Sequence, residues 1–470
     1  MLIVLLVGAS LVSACGTAVK GHATSPIFDP GTAGGLPLNH VPSGLRSGVA
    51  PPTMTVHGGT GSPADQLATQ AVEDIEDYWQ ATFPKALSGT YRPVKELYSY
   101  DSDDPGSPPI CGQDTYQEVN AFFCPRGWLI AWDRGVLIPT AQKYFGDMAV
   151  PGVLAHEYGH AIQRMANLLD SGATVLMAEQ QADCFGGDYL RWVAEGKSPR
   201  FTLGTGDGLN RVLAAVITSR DPVQKPLDDP TDAHGTALDR VDAFQMGFTA
   251  GAAACAAITT DSIQQRRKDL PQTLQPGAAA LIPDGPIDEP TVTALLAQLK
   301  SIFSPKAEPA VSYAAAICAG TQSTTPVSYC PSSNTVYIDL PGLKKLGEPG
   351  DEFHDFVLLQ GSNTAMSALI SRYVLAVQNG RGLPATSTQT ALRTACLTGA
   401  AERQIADSPS PSIPLSSKAI DEAVAGLLAN GLAAADATGK TAPAGFNRIG
   451  AFRAGLTSTS VDSCFTDFPA

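Results

Sequence analysis

The nine cysteines constrain the fold of this chain more than any other feature, because eight of them form two sets of four with nearly equal spacing. The first pair in each set is 13 or 12 residues apart, and the second pair is 71 or 68 residues apart. The sets are Cys111, Cys124, Cys184 and Cys255, followed by Cys318, Cys330, Cys396 and Cys464. This pattern indicates one scaffold that occurs twice, with disulfides of the kind found in exported proteins.

The residues around the cysteines support a duplication. Phe123-Cys124-Pro125 matches Tyr329-Cys330-Pro331, and Arg240-Val241-Asp242-Ala243-Phe244 matches Arg448-Ile449-Gly450-Ala451-Phe452. We therefore predict a tandem repeat with a unit of about 200 residues, well above the period of a solenoid. The simplest bridges repeat as well, and each should stabilise the fold by about 3 to 4 kcal/mol. They are Cys111–Cys124, Cys184–Cys255, Cys318–Cys330 and Cys396–Cys464.

The stretch His156-Glu157-Tyr158-Gly159-His160 carries the clearest chemistry of the chain. Two histidines four residues apart on a helix project from one face, so their ring nitrogens can bind the same metal ion. The glutamate beside the first histidine is then in position to take a proton from a metal-bound water. We predict that His156 and His160 are zinc ligands and that Glu157 is the general base.

A second helical stretch, from Val175 to about Glu195, supplies the remaining ligand. A catalytic zinc ion usually has three protein ligands, and Glu179 and Asp183 lie one turn apart on one helix face. The arrangement resembles the zincins, which implies that Glu179 is the third ligand and that Asp183 orients a ligand histidine. A solvated helix face is the alternative. The aligned residues of the second copy are Ala391 and Ala395, so we expect one Zn2+ per chain, in the first copy.

The second copy also lacks the histidines and the glutamate of the motif. Its aligned stretch, Ser371 to Gln378, retains the apolar positions and the final glutamine of His156 to Gln163. We therefore predict that the second copy is the same scaffold without a metal.

A loop histidine, His234, is a candidate for stabilising the oxyanion that forms during peptide hydrolysis, with Asp232 orienting its ring. A histidine that only ties down the loop is the alternative. Arg240 recurs as Arg448 in the second copy, so we interpret it as structural. The run from Leu129 to Trp132 reads as a strand that either pairs with an extended substrate or packs in the core, and core packing is favoured.

The N-terminus predicts export. A short apolar run ends in Val12-Ser13-Ala14-Cys15, which resembles the lipobox of bacterial lipoproteins and implies a lipid on Cys15. An ordinary signal peptide is the alternative. The predicted organisation is a lipoprotein signal peptide at 1–15, a flexible Gly/Pro-rich linker at 16–64, a catalytic domain at 65–265, a linker at 266–286 and a non-catalytic repeat at 287–470. The protein would face the exterior of the cell envelope, attached to the membrane through its lipid alone.

Three segments together resemble the putative neutral zinc metallopeptidase family of bacteria, and the lipobox and duplication resemble an actinobacterial lipoprotein peptidase of that family. The segments are His156 to Gln163, Glu179 to Gly187, and His234-Gly235-Thr236 followed by Arg240. The resemblance implies an α+β fold, in which a zincin-like metallopeptidase domain precedes a degenerate, metal-free copy. It also implies hydrolysis of peptide bonds in a peptide or protein substrate.

Charge and cysteine usage limit the other functions. The net charge of −14 argues against nucleic acid as a partner, since that would require a basic face. A zinc-binding scaffold or binding lipoprotein without turnover is the alternative function, but a structural zinc does not need a base such as Glu157. A zinc amidase that acts on another amide is a third possibility. The sequence predicts neither the oligomeric state nor the substrate.

Overall fold

The computed structural model describes residues 29–220, 234–275, 282–315, 318, 324–350, 358, 360–408 and 413–469. The predicted signal peptide with Cys15 and the predicted site residue Asp232 lie outside these ranges. Within them, no helix combines the length and the apolar character that crossing a membrane requires. Helices dominate and the sheets are small, which confirms the predicted α+β class.

The N-terminal half, residues 29–275, contains eight strands and eight α-helices among its described residues. The strands are β1 (Thr32–Ala33), β2 (Leu36–Pro37), β3 (Gly44–Leu45), β4 (Val56–His57), β5 (Glu96–Tyr100), β6 (Ala121–Cys124), β7 (Leu129–Asp133) and β8 (Phe201–Thr202). The helices are α1 (Pro63–Ala86), α2 (Leu137–Phe145), α3 (Ala149–Met165), α4 (Val175–Ala194), α5 (Asp207–Thr218), α6 (Ala237–Ala250), α7 (Ala252–Ala256) and α8 (Thr260–Lys268).

The C-terminal half, residues 282–469, contains a further three strands and seven α-helices in its described part. The strands are β9 (Ala310–Ser312), β10 (Val327–Cys330) and β11 (Thr335–Ile338). The helices are α9 (Glu289–Phe303), α10 (Leu340–Leu346), α11 (Ser362–Gly380), α12 (Thr388–Ala406), α13 (Ala419–Ala429), α14 (Gly445–Thr457) and α15 (Ser463–Asp467). All four predicted cysteine pairs are disulfide-bonded in the structure.

Side-chain caps fix where the helices of the site begin. The Thr174 side chain accepts a hydrogen bond from the Met177 amide at the start of α4. This amide has no acceptor within the helix itself. Thr236 and Asp239 form a reciprocal capping box at the start of α6. These caps set the register of the two helices whose polar residues meet at the site.

The main sheet has the strand order β4-β5-β7-β6, with β6 at the edge and antiparallel to β7. Every residue of β7 is buried, so the run from Leu129 to Trp132 lies inside the sheet. The neighbouring strand β6 is one of the two edge strands of this sheet, the other being β4, and it lies against α3. A strand paired on both sides cannot accept a substrate strand, so β7 cannot have this role.

The close approach of α3 and α4 depends on Gly159. A Cβ atom at this position would lie 2.8 Å from the Cα of Ala182, closer than side-chain carbons normally approach a backbone. The absent side chain lets the two helices pack backbone against backbone. Ligands on α3 and α4 can therefore face each other across a short gap.

The flexible linker predicted for residues 16–64 is wrong for its described part. β3 pairs with β8 and β4 pairs with β5, so this segment joins two sheets of the N-terminal half. Glu73 on α1 also accepts hydrogen bonds from the amides of Thr53 and Met54. Backbone pairing of this kind does not require the apolar periodicity that the segment lacks. The linker predicted to begin at residue 266 likewise overlaps α8, which ends at Lys268.

The two halves pack against each other through α5 and α6 on one side and α13 and α14 on the other. Arg453 Nε lies 2.7 Å from Asp242 Oδ2 across this contact. The side chain of Asn210 bonds both the Pro443 carbonyl and the Gly445 amide, at 3.0 and 2.6 Å. The C-terminal half thus directly supports the helices that surround the predicted metal site.

Candidate metal centre

Three predicted ligands come together where α3 and α4 pack. Glu179 Oε2 lies 3.1 Å from His156 Nε2, and Glu179 Oε1 lies 3.4 Å from His160 Nε2. The three donor atoms of the set all lie within 4.8 Å of one another. The side chains of the three residues are between 11 and 22% exposed, so the cluster is accessible to solvent and is not sealed in the core.

This donor set fits zinc. Two ligands bound tetrahedrally at 2.0–2.1 Å from a zinc ion lie about 3.4 Å apart, which is close to the distances from both histidines to Glu179. Two imidazoles and one carboxylate also form a ligand set of catalytic zinc sites, which leaves a fourth position for water or substrate. The described cysteines are paired in disulfides, so none of them is available as a thiolate ligand.

Hydrogen bonds behind the histidines set the tautomer of each ring. His156 Nδ1 lies 2.8 Å from Asp183 Oδ1, and His160 Nδ1 lies 3.0 Å from Gln163 Oε1. The amide nitrogen of Gln163 donates to the Ala178 carbonyl, so its oxygen is the atom that faces the ring. Each Nδ1 therefore carries a proton, and Nε2 is the ring nitrogen that would bind a metal ion. The sequence predicted this function for Asp183 but not for Gln163.

Arg240 on α6 holds the Asp183 carboxylate from the other side. Its Nε and Nη2 atoms bind Asp183 Oδ2 and Oδ1 at 2.9 and 2.7 Å, and its Nη1 also donates to the Ser219 carbonyl. A two-pronged contact of this kind fixes the plane of the carboxylate. Arg240 was predicted to be purely structural because it recurs as Arg448, but it supports the residue that orients His156. The sequence did contain a signal for this role, because Arg240 belongs to one of the three segments that resemble the peptidase family.

The pKa values follow from these contacts. Burial lowers the pKa of His156, but Asp183 and Glu179 outweigh this effect and raise it to about 10. Burial favours the neutral form of Glu179, yet the hydrogen bond to His156 and the charges of His156, His160 and His234 hold its pKa well below the usual range. The cluster thus keeps an anionic carboxylate against its histidines. A divalent cation would take the place of a proton in this arrangement.

Glu157 lies beside the ligand set without belonging to it. Its Oε2 accepts a hydrogen bond of 3.1 Å from the amide of Phe123, which lies on the edge strand β6. Burial raises the pKa of Glu157, against the opposing charges of His156 and His160. A raised pKa makes the Glu157 carboxylate a stronger base than a solvent-exposed glutamate. The contact with Phe123 joins two segments far apart in the chain, and the sequence did not predict it.

His234 lies at the entrance to α6, two residues before the helix cap Thr236. It is exposed, and its charge contributes to the lowered pKa of Glu179, so it is within electrostatic range of the ligand set. The oxyanion role predicted for His234, and the orienting role predicted for Asp232, stay predictions.

The C-terminal half contributes one carboxylate directly behind the site. Asp421 on α13 accepts a hydrogen bond of 2.9 Å from the Ala237 amide, the first residue of α6, and its other oxygen lies 3.2 Å from Arg220 Nε. Asp421 is 2% exposed. Since α6 also carries Arg240, this carboxylate anchors the helix that supports Asp183. No motif in the sequence pointed to Asp421.

Comparison with known proteins agrees with this geometry. Residues 53–258 match the model of the family described as putative neutral zinc metallopeptidase, which confirms the family predicted from the motifs for this part of the chain. An uncharacterised protein of Mycobacterium tuberculosis (strain H37Rv) is 26% identical over 244 residues, which is 47% of this chain and 80% of that protein. The uncharacterised protein YpfJ of Escherichia coli (strain K12) is 26% identical over 207 residues, or 40% of this chain and 69% of YpfJ. No solved structure matches the chain significantly.

Proposed function

From the family match of residues 53–258, we propose that this protein is an exported, lipid-anchored zinc metallopeptidase. The observation that carries the proposal is the meeting of His156 Nε2, His160 Nε2 and the Glu179 carboxylate, with Glu157 adjacent but outside the ligand set. A site that served only to hold the fold together would have no use for that additional carboxylate.

The proposed chemistry divides between a metal and the chain. Zinc bound by the three ligands would lower the pKa of a water molecule and polarise the carbonyl of the scissile bond. Glu157 would accept the proton of the attacking water and deliver it to the leaving amine. Asp183 and Gln163 would keep the two histidines in the tautomer that binds metal. His234 would donate a hydrogen bond to the oxygen that becomes negatively charged.

We propose that Cys15 carries the lipid and that the enzyme acts outside the cytoplasmic membrane. The apolar run before Val12-Ser13-Ala14-Cys15 and the four disulfides support this location, since disulfides persist in oxidising compartments. Cys15→Ser should move the protein from the membrane fraction to the soluble fraction. An unchanged distribution would contradict the anchor.

We further propose that the C-terminal half is a degenerate, metal-free copy of the N-terminal half. In each half, two helices meet backbone to backbone at a pair of glycines, and a disulfide links the first of them to the short helix that follows the second. The glycines are Gly187 and Gly247 between α4 and α6, and Gly399 and Gly455 between α12 and α14. In each half, an antiparallel hairpin also contains one of the short-range cysteines, as β6–β7 and as β10–β11. These coincidences, which follow the same order along the chain in both halves, favour a common origin.

The decisive experiment measures zinc content and peptidase activity of the purified protein beside Glu157→Gln. We expect about one zinc per chain in both proteins, but turnover of a mixed peptide library only in the wild type. The substitution preserves shape and removes the base, so activity should fall at least about 100-fold. Glu96→Gln, an exposed glutamate on β5, is the matched control and should leave both readings unchanged.

Other outcomes separate the alternatives. Zinc in the wild type without cleavage of any peptide would support a scaffold protein, and cleavage of non-peptide amides alone would support an amidase. Full activity in Glu157→Gln would contradict the proposed mechanism.

A further inference from the structure

Arg448 on α14 is a buried arginine that forms no ion pair and no hydrogen bond with the described part of the chain. It is 5% exposed, and its Nε is buried without a hydrogen-bond partner. The five other buried arginines, Arg220, Arg240, Arg267, Arg372 and Arg393, all donate to carboxylate, amide or carbonyl oxygens. Buried charges are normally paired because an unpaired one loses its hydration without compensation. This exception therefore requires an explanation.

The duplication shows how the exception arose. Arg448 aligns with Arg240, which binds the carboxylate of Asp183. The residue aligned with Asp183 is Ala395, which is fully buried and offers no oxygen. The C-terminal half has thus kept the cation and lost its anion.

The guanidinium of Arg448 lines a cavity of about 710 Å³ between the two halves. The volume falls within the range of small-molecule sites. Among the other residues of the lining are Tyr144, Asn210, Arg211, Leu428 and Thr441, which combine apolar surface with hydrogen-bonding groups.

The charges around the cavity favour a single negative charge. Arg448 and Arg211 contribute two positive charges, and Asp207 contributes one negative charge. The N-terminus of α14, which adds the positive end of a helix dipole, begins at Gly445 next to the lining residue Pro443. A planar guanidinium matches a carboxylate in two-pronged geometry. We propose that this cavity binds a small ligand that ends in a carboxylate, and that Arg448 is the residue that recognises it.

The test uses N-acetylalanine and its amide, which differ only in the charge of the terminal group. Binding to the full-length, zinc-loaded protein is measured by calorimetry at low ionic strength, where screening is weakest. We expect N-acetylalanine to bind at least about 10-fold more tightly than the amide, as the loss of a charge-assisted hydrogen bond predicts. This comparison needs only the wild-type protein and therefore does not depend on whether a variant folds.

Two variants locate the binding. Arg448→Met removes the charge with little change in shape and should weaken N-acetylalanine about 10- to 100-fold. Asp207→Asn removes the opposing charge at the rim and should tighten it several-fold. His156→Ala should leave the affinity unchanged, which separates this site from the proposed zinc centre. Equal affinity for the amide, or unchanged affinity in Arg448→Met, would overturn the proposal. Binding of inorganic phosphate without N-acetylalanine would overturn the choice of a carboxylate.

Discussion

Each half of the molecule packs two helices together at a pair of glycines, and the halves differ in the polar groups on those helices. In the N-terminal half, Asp183 on α4 joins His156 to Arg240 on α6. In the C-terminal half, Ala395 stands at the aligned position of α12, and Arg448 on α14 has no carboxylate in that contact. Glycine contacts hold both helix pairs together, and in each half a disulfide links the first helix of the pair to the short helix that follows the second. The comparison shows that packing and chemistry are separable in this fold.

The helix that carries the metal motif shows the same division. Arg372 aligns with Glu157, and its buried guanidinium donates to the carbonyls of Leu432 and Asp436. A cation at this position would repel a metal ion and could not act as a base. Val374 aligns with Gly159, and α11 and α12 contact each other less extensively than α3 and α4 do. The C-terminal half therefore has neither the ligands nor the close helix contact that would let ligands meet.

The largest difference between the two halves should appear when a predicted metal ligand is removed. His156→Ala takes away one of the three atoms that would bind zinc. Zinc affinity should therefore fall by at least about 100-fold, which is more than the loss expected when only a hydrogen bond that supports a ligand is removed. Peptidase activity should fall to background. Zinc titration with a competing chelator measures the affinity. The aligned variant Ser371→Ala is the control, and a loss of zinc in this variant would mean that the C-terminal half also holds metal.

Asp421→Asn should reveal how far the site depends on the C-terminal half. An asparagine cannot accept from both the Ala237 amide and Arg220, so the buried contact weakens and the free energy of unfolding should fall by about 3 kcal/mol. Zinc affinity should fall by about 10-fold because α6 carries Arg240. Urea unfolding and the same zinc titration provide the two readings.

The neighbouring Glu422 offers a matched control for Asp421. It accepts from the Asn363 amide at the start of α11, and burial raises its pKa to about 8, so it is largely neutral at pH 7. Glu422→Gln should therefore leave zinc affinity unchanged and change stability by less than about 1 kcal/mol. Equal zinc affinities in Asp421→Asn and the wild type would show that the C-terminal half does not support the site.

The smallest effect should come from the pair of aligned glutamines. Gln163→Leu removes the acceptor that orients His160, and zinc affinity should fall by about 10-fold. Gln378→Leu removes the contacts with Arg393 and Thr394, which should lower stability without changing zinc affinity. Titration of both variants checks the contrast. Similar zinc affinities in the two variants would mean that Gln163 does not act through the metal site.

The sequence predicted the local parts of the candidate site well. His156, His160, Glu179 and Asp183 follow helical spacing, and helical spacing determines which side chains share a face. Cysteine positions predicted all four bridges because their spacing repeats. The meeting of α3 and α4 needed only a short turn between them. These inferences use information contained within a few tens of residues.

The contacts that the sequence did not predict join distant segments. Phe123 reaches Glu157 through the edge of a sheet, and Asp421 reaches α6 from the other half. Residues 29–64 lack apolar periodicity, yet β3 and β4 are held by backbone pairing, which leaves little trace in residue type. Arg240 was interpreted as structural because Arg448 stands at the aligned position, yet of these two arginines only Arg240 contacts a carboxylate. A residue that recurs in both halves can therefore have different roles in each.

Zinc-edge anomalous diffraction from crystals of the zinc-loaded protein tests the central claim most directly, since it locates every bound zinc ion. We predict one anomalous peak per chain, within bonding distance of His156 Nε2, His160 Nε2 and the Glu179 carboxylate. A peak at another set of residues, a second peak in the C-terminal half, or no peak in zinc-loaded crystals would contradict the account.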